Sequence, residues 1–178
     1  MRKSLLLILA SIALISCKKN EDFDSFDFSY TGTFTESFSI KFTKNDTVYI
    51  RQHWTRNDIY ENKSIPKSNN NYVAKLNETD RKKLFNYISK IDFTKFKNEY
   101  NQDYSDGRYF KLNIKRRKLN KTILVHSYKI PKEIDSLSRW IVDLKQRMKL
   151  VKSNKNVNFE SAKGFLPPDP PKPKNKLQ

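Results

Sequence analysis

The chain has 178 residues, with 36 Lys or Arg against 19 Asp or Glu and a formal net charge of +17. Three glycines nearly exclude a glycine-rich phosphate cradle, and a single cysteine excludes an intramolecular disulfide. Less a leader and a tail, this length makes one domain with its own core.

Residues 1–16 read as a signal peptide. Arg2 and Lys3 give a positive start, and Ser4 to Ser16 carries no charge. The apolar run is too short to span a bilayer, which takes about 20 residues. It ends in Leu14-Ile15-Ser16-Cys17, which resembles the lipobox of bacterial lipoproteins. That resemblance implies cleavage before Cys17, lipidation of its thiol, and attachment to the bilayer through acylated Cys17. A thioether also disposes of the one exposed thiol. No Asp follows Cys17 directly. By analogy with the enterobacterial sorting rule, this favours the outer membrane. The stretch Lys18 to Asp22 loosely resembles the surface-export signal of Bacteroidetes lipoproteins. Periplasm-facing and cell-surface positions both stay open.

Loss of Arg2 and Lys3 with the leader barely dents the basic excess. Such a charge attracts polyanions: acidic polysaccharide, lipid phosphate or an acidic protein. Lysine enrichment from AT-rich codons would give the same surface with no partner.

Residues 17–33 read as a lipidated tether, although Phe26, Phe28 and Tyr30 could pack back on the domain as an irregular strand. The domain is expected over 34–151. Phe38, Ile40 and Phe42 alternate with Ser39 and Lys41, the pattern of a half-buried strand over 37–43. Lys44-Asn45-Asp46 is turn chemistry, and 47–54 returns with Val48 and Ile50 on one face. Residues 55–70 read as a polar loop, and 72–76 as a short strand. Asn77 suits a helix N-cap, with Asp80 in the first turn. Leu84, Ile88 and Ile91 then keep helical spacing over 78–90. Asp106-Gly107 marks a turn. Phe110, Leu112 and Ile114 alternate, Arg116 to Lys121 forms a charged hairpin tip, and 122–128 returns. Pro131 opens a helix carrying the apolar stripe Ile134, Leu137, Ile141, Leu144 and Met148. Residues 152–178 read as a basic, Pro-rich disordered tail.

The order β-β-β-α-β-β-α predicts an α+β two-layer sandwich: an antiparallel sheet of about five strands with both helices on one face. With its leader, the Asn45-to-Ile50 hairpin, the short strand before a capped helix and the Ser105-Asp106-Gly107 turn, the chain resembles small uncharacterised lipoproteins of Bacteroidetes. Those motifs are structural, and the resemblance implies no known activity.

No motif carries catalysis. His53 and His126 could share a face but fall short of a ligand set. Glu99, Asn101, Asp103 and Asp106 miss the EF-hand template, because Gly107 falls at the wrong position. No nucleophile elbow or paired carboxylates stand out. No cofactor is implied. The densest basic patch is Lys115, Arg116, Arg117 and Lys118 with Lys121, able to contact a polyanion through charge-assisted hydrogen bonds. No aromatic interleaves it, so nucleic acid is disfavoured. The same patch also suits a merely solvated turn. Asp46-Thr47-Val48 and Asp135-Ser136-Leu137 match the short O-glycosylation motif of Bacteroidetes. The residues favour a lipid-anchored, non-catalytic binding or interaction module. An immunity or inhibitor protein against a toxin or hydrolase is the alternative, and a cryptic hydrolase is the second.

Overall fold

The computed structural model describes residues 23–32, 36–54, 70–103 and 107–165. The leader with Cys17, the 55–69 loop, Ser105 and Asp106 of the turn, and the Pro-rich run lie outside the described residues.

Eight strands form one open sheet: β1 (Ser25–Gly32), β2 (Ser37–Phe42), β3 (Thr47–Trp54), β4 (Asn70–Lys75), β5 (Glu99–Asn101), β6 (Arg108–Arg116), β7 (Leu119–His126) and β8 (Val151–Lys152). Their order is β5-β7-β6-β1-β2-β3-β4-β8. All neighbours are antiparallel except β5 with β7. Helices α1 (Glu78–Lys90) and α2 (Lys132–Arg147) complete an α+β fold. Among the described residues the strand count exceeds the expected five, which left out β5 and β8 and allowed β1 only as an irregular strand packed back from the tether.

The largest departure is β1. Part of the segment read as a tether is the central strand, pairing β2 on one side and β6 on the other. Phe28 lies opposite Ile40 and Leu112. Phe26, Phe28 and Tyr30 face the helices with Phe38, Phe42, Ile50, Phe110 and Ile123. The Phe28 ring lies 5.5 Å from Phe110 and 6.3 Å from Phe38. Leu84 and Ile88 of α1 and Ile134, Leu137, Ile141 and Leu144 of α2 close this core. The stripe read from the α2 spacing is thus buried up to Leu144, with Met148 partly so.

Asn77 caps α1, its Oδ1 accepting from the Asp80 amide at 2.8 Å. Asp80 in turn accepts two hydrogen bonds from Arg147, at 2.6 and 2.7 Å. That bidentate pair fastens the start of α1 to the end of α2, so the helices run antiparallel. Hydrogen bonding to Arg147, ahead of its charge, holds the Asp80 carboxyl below its ordinary range. The buried Lys145 ammonium, over the Phe38 ring, pairs with Glu36.

A second departure concerns residues 153–165. They belong to the segment read as a disordered tail, yet they lie across the sheet face that the helices leave open. Phe159, Ser161 and Phe165 are buried there. Arg51 donates to Asn156 Oδ1 at 2.7 Å and to the Val157 carbonyl at 2.9 Å, and stands 5.0 Å over the Phe159 ring. Phe165 stacks on Tyr109 at 4.7 Å. The domain therefore extends beyond both expected boundaries, starting before 34 and continuing past 151.

Candidate anion-binding end and the covered polar seam

The β6–β7 hairpin turns tightly at Arg117 and Lys118, with Arg117 at φ 49°. A non-glycine residue tolerates that left-handed conformation at a cost. Here the Arg117 amide donates to Asp24 Oδ2 at 3.2 Å, and the Asp24 amide donates to the Lys115 carbonyl at 2.7 Å. Lys44 binds the other Asp24 oxygen at 3.2 Å. The hydrogen bond from Lys44, with help from the Arg117 amide and the Lys115 charge, lowers the Asp24 pKa.

The five basic residues of the patch do not share one face. Arg116, Arg117 and Lys118 line a groove of about 430 Å³ against Ser89, Lys90 and Asp92 at the end of α1. Lys115 alternates with buried Ile114 and is exposed on the other side of the sheet. Lys121 donates to Asn98 Oδ1 at 2.5 Å. The one carboxylate in the groove, Asp92, is engaged by its own 3-10 turn (Phe93–Lys95): it accepts from the Thr94 hydroxyl at 2.6 Å and the Thr94 amide at 3.2 Å. These bonds, the hydroxyl's foremost, lower its pKa. Among the described residues, four cations therefore line a groove whose one carboxylate is already bonded. Such a groove can hold an anionic group through charge-assisted hydrogen bonds.

A second polar site escaped the sequence reading. Beneath residues 153–165 a seam of side chains runs across β1, β2 and β3. Asp27 Oδ1 accepts from the Ser161 amide at 2.6 Å. The Ser161 and Ser29 hydroxyls are 2.8 Å apart, and those of Ser29 and Ser39 are 2.7 Å apart. Ser39 Oγ lies 3.2 Å from His53 Nε2. Burial pushes the Asp27 carboxyl up, against the pull of its bonds to Ser161. The residue types suggest a triad, but the connectivity does not make one. Asp27 reaches Ser161, not His53, and Ser39 is fully buried. The seam instead pairs the Ser29, Ser39 and Ser161 hydroxyls and Asp27 Oδ1, while Asp27 Oδ2 and Thr31 Oγ1 stay buried with no hydrogen-bond partner among the described residues. Its signal was present in the strict alternation of Asp27, Ser29 and Thr31 with Phe26, Phe28 and Tyr30.

The remaining expectations disperse. His53 and His126 do share the open face, but they lie on strands four places apart, about 19 Å. His126 meets the Tyr109 ring edge-on at 5.5 Å. Glu99 and Asn101 sit in β5 rather than in a loop. Among the described residues, no three His, Cys, Asp or Glu are grouped to hold a metal ion. Thr47 starts β3 with its hydroxyl 3.4 Å from the Asn45 carbonyl, and Ser136 lies half-buried between the helices.

No curated protein and no solved structure matches the chain. One family model, described as a domain of unknown function (DUF6438), matches residues 55–145. The match takes in β4, α1, β5, β6, β7 and most of α2, and so contains the basic groove but not the polar seam. It covers just over half of the chain, which belongs to the DUF6438 family.

Proposed function

We propose that this protein is a lipoprotein of the outer membrane, held through acylated Cys17, whose domain is a non-catalytic module that binds an anionic partner. The observation that carries the binding reading is the groove of Lys90, Arg116, Arg117 and Lys118, whose one carboxylate among the described residues is already hydrogen-bonded. The leader ending in Leu14-Ile15-Ser16-Cys17 supports the anchoring. One acyl chain binds a bilayer only marginally, whereas two or three hold firmly. The covered seam favours structure over turnover, because it is buried beneath residues 153–165 and its serine hydroxyls are bonded to one another.

The anchoring is tested by Cys17→Ser. Radiolabelled palmitate should enter the wild type and not the variant, and the variant should leave the membrane fraction or accumulate uncleaved. Absence of label from the wild type, or a variant that still fractionates with membranes, refutes the anchor.

A further inference from the structure

We infer that the end of the sheet carrying the β2–β3 and β6–β7 turns rests on the anionic phospholipid headgroups of the membrane that holds the acyl chains. This inference rests on the lipid-anchor reading above and names the partner of the basic end.

Three observations carry it. First, the chain enters the domain at that end. Phe23 is buried, 5.4 Å from the Phe85 ring and 6.5 Å from Phe26, so the entry point is packed into the core. Asp24 is clamped by Lys44, the Arg117 amide and the Lys115 carbonyl. Second, the reach is short. Six residues from Cys17 to Phe23 span at most about 20 Å. The entry point is therefore tied close to the bilayer, and the turns beside it are carried there too. Third, this end is basic and not greasy. Among the described residues, Lys44, Lys115, Arg117 and Lys118 are exposed around the entry point, while Asp24, Asp46 and Asp92 are each bonded. The exposed large apolar residues among those described are Tyr128, past the far end of β7, and Val151, on the edge strand four places from β1. The contact is thus with headgroup phosphates and not with acyl chains. A basic group near an anionic surface raises affinity about five-fold, and the effect fades within a Debye length of about 8–10 Å.

The test uses the mature lipidated protein, reconstituted in vesicles of phosphatidylcholine alone or with phosphatidylglycerol added. Amine acetylation is followed lysine by lysine by mass spectrometry. Lys115 and Lys118 should be acetylated at least about three-fold more slowly on the anionic vesicles at low salt, and should recover at high salt. Lys129, beyond the far end of β7, and Lys152, at the sheet edge, should not change. Replacing both Lys44 and Arg117 by Glu should release the protection at Lys115 and Lys118. Equal rates on the two vesicles overturn the inference while leaving the anchor intact. Protection of Lys129 and Lys152 to the same degree would mean diffuse attraction through net charge, and also overturns it. Equal protection by inorganic phosphate on neutral vesicles would make the groove a soluble-anion site, against the headgroup assignment. Protein that fails to float with neutral vesicles refutes the anchor itself, which separates the two failures.

Discussion

The two faces of the sheet are both buried, but by different means. The helix face is closed by α1 and α2 over rings and branched aliphatics, and its contacts are mostly non-directional, the Arg147–Asp80 and Lys145–Glu36 pairs apart. The other face is closed by one irregular segment, 153–165, and depends on named hydrogen bonds: Ser161 to Asp27 and Ser29, Arg51 to Asn156 and Val157, Lys41 to the Asn158 carbonyl. Apolar burial is roughly proportional to area and tolerates small shifts, whereas a buried polar seam is stable only when each member finds its partner. The helix face should therefore yield most to cavities. The other should respond more to the loss of single bonds, and the buried or paired carboxyls of the two faces should answer acid in opposite senses.

The strongest way to break the comparison is Phe28→Ala. The ring is fully buried at the centre of the helix face, so its loss should cost about 3–5 kcal/mol and lower the whole unfolding transition. A change in denaturation midpoint too small to measure would show that this face is not the core. Ile141→Ala, at a fully buried position of α2, should follow at about 2–5 kcal/mol. Phe159→Ala should cost less, about 1.5–3 kcal/mol, because the covering segment can settle or lift and leave little cavity. Hydrogen exchange should then speed up at 159–165 more than in α2. Uniform acceleration would mean that the two faces are one unit.

The smallest effect sharpens the contrast through pH. Asp27 has a raised pKa in the fold, so the folded state holds its proton more tightly than the unfolded state. Its contribution is therefore unfavourable at neutral pH. It is relieved as pH falls through the raised value toward the ordinary carboxyl range. Asp80 acts oppositely: its lowered pKa contributes stability at neutral pH that is lost as pH falls through and below the ordinary range. Asp27→Asn should remove the first trend and leave the second, so the variant should lose more stability on acidification than the wild type. Melting temperatures from neutral to mildly acidic pH decide it. Parallel curves would show that Asp27 titrates alike in both states.

The helix face was readable because each element carries its own period. The 3, 4, 3, 4 spacing of α2, the alternation over β2 and β6, and the Asn77 cap are local signals, and they located those elements to within a few residues. The basic hairpin tip was legible for the same reason, but its division was not. Which face Lys115 and Arg116 each take depends on register, and Lys121 reaches Asn98 only through the parallel pairing of β5 with β7. Strand β1 was obscured by its neighbours in sequence, since alternating Asp and Phe beside a presumed tether read as loosely polar. Its buried Asp27 becomes sensible only once Ser161 is brought over it from far along the chain. Strand β8 is two residues long and has no pattern to read. The covering segment lacks periodicity altogether, and nothing local marks Phe159 or Phe165 as buried.

The central place of β1 has a consequence for how the chain reaches its fold. Strand β1 cannot complete its pairing until β6 has been made, and Asp27 stays uncovered until Ser161 follows. The chain must be made through α2 before the helix face of β1 is closed, and through Phe165 before the other is. A topology so dominated by distant pairings folds slowly compared with a helical bundle of similar size, because loop closure must precede the contacts that reward it. A nascent chain of this design stays open through most of its synthesis. A fragment trimmed to residues 55–145 would lack β1, β2 and β3, and with them the middle of its own sheet.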